Sequence, residues 1–178
     1  GYNYLIHKAT TDHQRVPSRV MMQTESYPRD AFSNWAASTD HIYIIGDFVW
    51  TAIDYLGESG IGRYWYEGDP VGEHWERPLY PWHAAYCGDI DLTGRLKPIG
   101  HYRNMLWNGN HKLFMAVREP HGYTGKGKIT AGMWVVHATW ERWNWEGWEG
   151  GNQVGLGSSR YPWVRQFPDD RLISEKST

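Results

Sequence analysis

The chain has 178 residues and a formal net charge of −2, and this balance gives no basic surface for a nucleic acid or an anionic membrane. No apolar run approaches the roughly 20 residues that a membrane-spanning helix needs. The single cysteine, Cys87, excludes an internal disulfide. The 12 Trp and 12 Tyr occur at a mean hydropathy of −0.67, so many rings lie among polar groups. Such rings either fill a core or contact a ligand with an apolar face and a polar rim, such as a sugar.

The first 50 residues predict strands alternating with a helix. Residues 1–6 are typical of a short buried strand, and their start without a methionine or signal-peptide pattern indicates the interior of a longer chain. Residues 19–25 predict a second strand, and Pro28 is typical of the first turn of a helix. Residues 41–50 predict a third strand that is apolar on both faces except at Gly46 and Asp47. Continuous apolar strands with helix-length connections favour a parallel sheet covered by helices.

The rest of the chain changes character twice. Residues 57–96 are rich in Gly, Pro, Trp and Tyr and show no sustained period, which is typical of a functional loop. Residues 97–107 return to a helical pattern. After a predicted domain boundary near residues 108–111, short alternating stretches favour antiparallel strands.

The polar residues that follow the predicted strands are the candidate site. The first strand supplies Asn3 and Tyr4, Glu25 ends the second, and Trp50 ends the third. In barrels of parallel strands, residues in these places line the active site. An amide and a phenol bind hydroxyl groups, an indole stacks on a sugar ring, and a carboxylate attacks an anomeric carbon. A helix-capping role is the competing interpretation for Glu25, because it precedes a helix that starts with a proline.

Four motifs in order carry a family resemblance: "GYNYL", "QTESYP", "GDFVWTAIDYLGE" and "YCGDIDLTGRLKP". Together they resemble the later catalytic-barrel strands of glycoside hydrolase family 2, especially its bacterial β-galactosidase-like members. The resemblance implies a retaining exo-β-glycosidase in which Glu25 is the nucleophile and Asn3, Tyr4 and Trp50 contact the substrate. Which of Tyr2 and Tyr4 points inward stays open. We expect no cofactor and no metal. The sequence alone does not give the compartment, and the resemblance suggests an extracytoplasmic or periplasmic one.

The resemblance also implies the fold class. It predicts an α/β fold, with residues 1–108 as the C-terminal portion of a (β/α)8 TIM barrel. Residues 109–178 would be a linker and the beginning of an all-β immunoglobulin-like sandwich. The family usually has an Asn-Gly turn where this chain has residues 168–170, Pro-Asp-Asp, so the register of the last strands is open.

One catalytic part is missing from the sequence. Retaining glycosidases need a second carboxyl group about 5–5.5 Å from the nucleophile. The family places this acid/base on a glutamate that follows an asparagine, and no Asn-Glu pair occurs in the 178 residues. We therefore expect the acid/base to lie outside this chain, with the remainder of the same enzyme as its partner.

Two other interpretations remain. The chain could be a noncatalytic carbohydrate-binding module, or a structural fragment with no activity in isolation. A calcium loop at Asp89 and Asp91 lacks the further ligands that such loops need, so a structural turn is favoured there. His83 and His101 are interpreted as structural residues, because no metal-binding spacing surrounds them.

Overall fold

The computed structural model describes residues 1–72, 82–109, 112–135, 138–167 and 169–177. Three α-helices lie in these ranges: α1 (Ala9–Arg15), α2 (Ala31–Asp40) and α3 (Pro98–Trp107). Short 3₁₀ turns at Ile6–Lys8 and Pro28–Asp30 lead into α1 and α2. No helix among the described residues is long and apolar enough to cross a membrane.

Twelve strands are found in the described ranges, and most are short. They are β1 (Tyr2–Asn3), β2 (Met21–Ser26), β3 (Ile44–Val49), β4 (Tyr55–Leu56), β5 (Tyr64–Tyr66), β6 (Ala84–Ala85), β7 (Leu113–Arg118), β8 (Ile129–Ala131), β9 (Thr139–Trp140), β10 (Gly155–Ser159), β11 (Trp163–Gln166) and β12 (Ser174–Ser177). They form one parallel sheet, in the order β1-β2-β3, and four antiparallel sheets. The antiparallel sheets are β10-β7-β9, β4-β6, β5-β8 and β11-β12.

The predicted fold class is wrong. A TIM barrel needs eight parallel strands that close on themselves, whereas the described residues contain one three-stranded parallel sheet among small antiparallel ones. The physical reason lies in residues 51–96, whose sequence lacks helical periodicity. Their described parts, 51–72 and 82–96, instead form short antiparallel pairs such as β4 with β6. The arrangement, mostly antiparallel sheets with three short helices, fits a β-sandwich rather than part of a barrel.

Two buried clusters hold the described residues together. Ala9, Met21 and Ile44 pack between the parallel sheet and the helices that cover one face of it. The second cluster contains Ile61, Ala85, Cys87 and Trp134, and half-buried aromatic rings pack around it. The second cluster joins segments far apart in the sequence, and the candidate site residues Tyr4 and Trp50 pack against it.

Candidate active site

Glu25 is the next-to-last residue of β2, at the carboxyl end of that strand. Its side chain is half-buried. The backbone oxygen of Glu25 accepts hydrogen bonds from Tyr4 N at 2.9 Å and from Gln23 Nε2 at 2.8 Å. Gln23 is fully buried, so the hydrogen bond from its side-chain amide holds the end of β2 in place. The carboxylate is thus carried on a backbone that is held from two sides.

Asn3 and Tyr4 lie beside Glu25 but point to different surroundings. Asn3 is the β1 residue aligned with Glu25. Its side chain is exposed, and its Oδ1 accepts a hydrogen bond from Thr24 Oγ1 at 2.5 Å. Tyr4 has a φ of +58°, in the left-handed region, so the chain turns directly after β1. The ring of Tyr4 stacks on Tyr27, with centroids 4.1 Å apart.

Trp50 follows β3 directly and is tied to the end of β2. Its backbone N–H donates to Ser26 O at 3.0 Å. Its indole Nε1 donates to Tyr55 Oη at 3.1 Å, and the Tyr55 hydroxyl donates to the Glu58 carboxylate. Burial, and then the bond to Glu58, raise the pKa of Tyr55. This tyrosine therefore stays protonated and keeps its bond to the carboxylate. The peptide bond between Trp50 and Thr51 is cis.

Tyr4 and Trp50 both belong to one group of packed aromatic rings. Trp134 meets Tyr4 edge-on at 5.7 Å and Tyr27 edge-on at 4.8 Å. Sequence reasoning selected Tyr4 and Trp50 but missed their neighbours. Tyr27 and Tyr55 stand inside two of the quoted motifs, so their position was a usable signal. Trp134 had no signal beyond the high tryptophan count. Trp134 belongs to the second buried cluster, and four half-buried rings pack against that cluster. These five rings, here called the aromatic cluster, are those of Tyr4, Tyr27, Trp50, Tyr55 and Trp134.

Behind the strand ends lies a buried charge cluster. Arg103 on α3 donates from Nε to Asp89 Oδ2 at 2.6 Å, and its Nη1 lies 3.8 Å from Asp47 Oδ2 on β3. Burial raises the pKa of both Asp47 and Asp89, and the Arg103 charge opposes this rise. A second ion pair, between Lys97 Nζ and Asp54 Oδ1 at 2.7 Å, lies beside it.

Two cavities lie near these residues, and neither is lined by Asn3, Glu25 or Trp50. The larger, about 670 Å³, lies between α3, the β10-β7-β9 sheet and the segment around Tyr86. The smaller, about 330 Å³, is lined by Tyr4 and by residues of α1 and α2. These two cavities therefore do not define a sugar pocket at Glu25.

The acidic turn and the two histidines have partners within the chain. Asp91 Oδ1 accepts from Thr93 N at 2.8 Å and Arg95 N at 3.0 Å, and its hydrogen bonds lower its pKa. His101 stacks on Phe114 at 4.2 Å, and His83 is also in contact with other groups. No group of three or more His, Cys, Asp or Glu side chains is arranged for a metal ion within the described part of the chain.

Comparison with solved structures gives the class of protein. The chain is similar to part of two solved structures of glycosyl hydrolase family 2 members. A member from Bacteroides cellulosilyticus aligns over 99% of this chain with 29% identity and a TM-score of 0.82. A member from Bacteroides cellulosilyticus DSM 14838 also aligns over 99%, with 25% identity and a TM-score of 0.71. The predicted resemblance to glycoside hydrolase family 2 is confirmed.

The two relatives are much longer than this chain. The chain spans 22% of the first relative and 20% of the second. A scan against protein-family models and a search of curated proteins found no match.

Proposed function

We propose that this chain is the part of a retaining, β-galactosidase-like exo-β-glycosidase that carries the nucleophile, Glu25. The observation that supports this most is the meeting of three strand ends. Tyr4 N and Trp50 N bond to the backbone oxygens of Glu25 and of its neighbour Ser26, at 2.9 and 3.0 Å. One carboxylate, one phenol and one indole are therefore carried side by side on hydrogen-bonded backbone.

Each residue has a role that its chemistry supports. The Glu25 carboxylate attacks the anomeric carbon and forms the glycosyl-enzyme, which water then hydrolyses. Trp50 offers an indole face to the sugar ring, while its Nε1 is held by Tyr55. Asn3 and Tyr4 are proposed to bind sugar hydroxyls. The substrate class is a terminal β-linked sugar.

The proton that the leaving group needs comes from outside this chain. A retaining enzyme needs a second carboxyl group, and the family resemblance places it on an Asn-Glu pair that the sequence lacks. The relatives, about five times longer than this chain, have room for such a residue. We propose that further polypeptide of the same enzyme supplies the acid/base and closes the site.

The test is Glu25→Gln in the complete enzyme that contains this chain. The amide keeps the size of the side chain but cannot form the glycosyl-enzyme, so turnover should fall on the order of 10³-fold or more. Sugar binding should persist. Glu146→Gln, a change at an exposed glutamate of another loop, is the control and should leave turnover unchanged.

A smaller side chain makes the test sharper. In Glu25→Ala, added azide should occupy the emptied space and attack the anomeric carbon, giving an α-glycosyl azide from a β-glycoside. Retention of turnover within about tenfold in Glu25→Gln would contradict the nucleophile assignment. Undiminished turnover with intact sugar binding would leave the noncatalytic, carbohydrate-binding interpretation of these residues.

A further inference from the structure

Arg103 lies between two carboxylates that come from different parts of the chain. It is on α3, and its side chain is only 15% exposed. Its Nε donates to Asp89 Oδ2 at 2.6 Å, and its Nη1 faces Asp47 Oδ2 at 3.8 Å. The side chain of Asp47 is almost completely buried, and that of Asp89 is 13% exposed. The single guanidinium of Arg103 therefore lies between two buried carboxylates. Its planar set of N–H groups can face both carboxylates at once, which the ammonium group of a lysine cannot do.

Asp47 is connected through the pairing of β3 with β2 to the strand end that carries Glu25. Asp47 lies on β3 and is aligned with Gln23 of β2. The next β3 residue, Phe48, accepts a hydrogen bond at 3.3 Å through its backbone oxygen from Ser26 Oγ. Ser26 directly follows Glu25 in β2. The Ser26 hydroxyl also interacts with Asp47, and it opposes the rise that burial causes in the pKa of that carboxyl.

Asp89 is connected through backbone hydrogen bonds to the residues that follow Trp50. Asp89 N donates to Thr51 O at 3.2 Å, and the neighbouring Ile90 N donates to Ala52 O at 3.0 Å. Thr51 N in turn donates to Cys87 O at 3.4 Å. The segment that carries Asp89 therefore runs along the residues that immediately follow Trp50. The position of this segment sets the direction in which the chain leaves the indole.

We propose that Arg103 is a positioning residue for the candidate site: by joining Asp47 to Asp89 it sets the spacing between the strand end of Glu25 and the loop of Trp50. This inference rests on the proposed function of Glu25. Arg103 acts through its neighbours, since its contacts are with Asp47 and Asp89. Removing its charge leaves two buried carboxylates without their shared cation, and the two segments then separate.

The experiment compares Arg103→Met and Arg103→Lys in the complete enzyme. Each preparation is titrated with a 2-deoxy-2-fluoro-β-galactoside, which traps the glycosyl-enzyme and counts the sites that can react. Rates are then expressed per active site, so a loss of folded protein does not affect them. Arg103→Met should lower kcat/KM per site by about 10–100-fold, the range that follows from a misplacement of about 1 Å. Arg103→Lys, which reaches one carboxylate, should recover part of this loss.

The matched control is Arg165→Met. Arg165 also pairs with a carboxylate, Glu175, but the pair lies on the exposed β11-β12 hairpin. Its rate per site should equal that of the parent. An Arg103→Met rate within about twofold of this control would overturn the positioning role and leave Arg103 as a stabilising residue only. Should Arg103→Met yield no titratable site, Asp89→Asn and Arg103→Lys decide by the same comparison, because Asp89→Asn keeps the volume of the cluster and Arg103→Lys keeps its positive charge.

Failure of the inference and failure of the proposed function have different signatures. If Glu25→Gln abolishes turnover while the Arg103 variants match the Arg165 control, Glu25 remains the nucleophile and only the positioning role is lost. If Glu25→Gln keeps turnover and the fluoro-sugar traps a different carboxylate, the proposed function fails. The inference then fails with it, because no reactive group at that strand end is left to position.

Discussion

At the scale of single residues, the indole of Trp50 is the most direct test of the site wall. Its ring is half-buried among the other rings of the aromatic cluster, and its Nε1 donates a hydrogen bond to Tyr55 Oη. We predict that Trp50→Ala weakens substrate binding and catalysis by about 1–3 kcal/mol, because the stacking area on the sugar ring is lost. Steady-state kinetics of the complete enzyme with an aryl β-galactoside measures this.

Trp107→Ala is the control for Trp50, since Trp107 is an exposed ring at the end of α3. It should leave kcat/KM unchanged. An unchanged specificity constant in folded Trp50→Ala would instead assign Trp50 to core packing.

Asp47 makes stability depend on pH with a sign that the structure defines. Its pKa is raised in the folded state, mainly by burial, so the folded protein holds this proton more tightly than the unfolded chain. Its contribution to stability is full below the unfolded value, 3.8, and is lost as the pH rises through the folded value. We predict that Asp47→Asn gains stability relative to the parent as the pH rises through that window.

Urea midpoints of the complete enzyme, measured at several pH values, check this prediction. Asp91→Asn is the control with the opposite sign. The pKa of Asp91 is lowered by hydrogen bonds to Thr93 and Arg95, so its contribution is present at high pH and lost as the pH falls. Asp91→Asn should therefore lose stability relative to the parent at the higher pH values. Parallel midpoint curves for Asp47→Asn and the parent would contradict the burial argument.

At the scale of elements, the segment 87–91 and the segment 51–54 approach each other too closely for a side chain. A Cβ on Gly88 would lie 2.2 Å from Asp54 N, and that backbone is held by the Gly88 N–H, which donates to Asp54 Oδ1 at 2.7 Å. Lys97 at the start of α3 bonds to the same oxygen. We predict that Gly88→Ala destabilises the protein by about 1–3 kcal/mol, because backbone has to move.

The matched change is Gly157→Ala in β10, where a Cβ would meet Met115 at an ordinary 3.9 Å. Thermal unfolding midpoints of the two variants should separate by several degrees, with Gly88→Ala the lower. Equal midpoints would show that the segments 51–54 and 87–91 can move apart without a loss of stability.

At the scale of the whole molecule, the described surface carries apolar side chains that a stable monomer usually covers. On β3, Ile45 is 66% exposed and Phe48 is 59% exposed. Exposed apolar patches of this kind mark surfaces that bind other polypeptide or aggregate. We predict that the 178-residue chain made alone is aggregation-prone. We also predict that it hydrolyses no aryl β-galactoside, since the acid/base is proposed to lie outside it.

The measurement is aryl-galactoside turnover by the purified chain, with the complete enzyme assayed beside it. Light scattering of the same samples reports aggregation. Robust turnover by the chain alone, abolished by changing Glu58 or Asp54, would place the acid/base within these residues and overturn the missing-partner argument.

Local sequence patterns predicted several elements well. The helical period after Lys97, started by Pro98, predicted a helix over 97–107, and α3 spans Pro98–Trp107. The apolar run at 19–25 corresponds to β2 at Met21–Ser26. These predictions succeed because a proline start and an apolar run act over a few neighbouring residues. The domain boundary near residues 108–111 stays a prediction, and residues 110 and 111 lie outside the described ranges.

By itself, the sequence determined the family resemblance, the order of the strand ends and the absence of an Asn-Glu pair. Only the tertiary structure decided that most sheets are small and antiparallel, which overturned the barrel. It also decided which distant side chains meet. Tyr4 contacts Trp134, and Arg103 joins Asp47 to Asp89. Such pairs depend on how whole segments pack. Apolar groups gain free energy from any burial and buried charges need a partner, and neither effect depends on the distance between two residues along the chain.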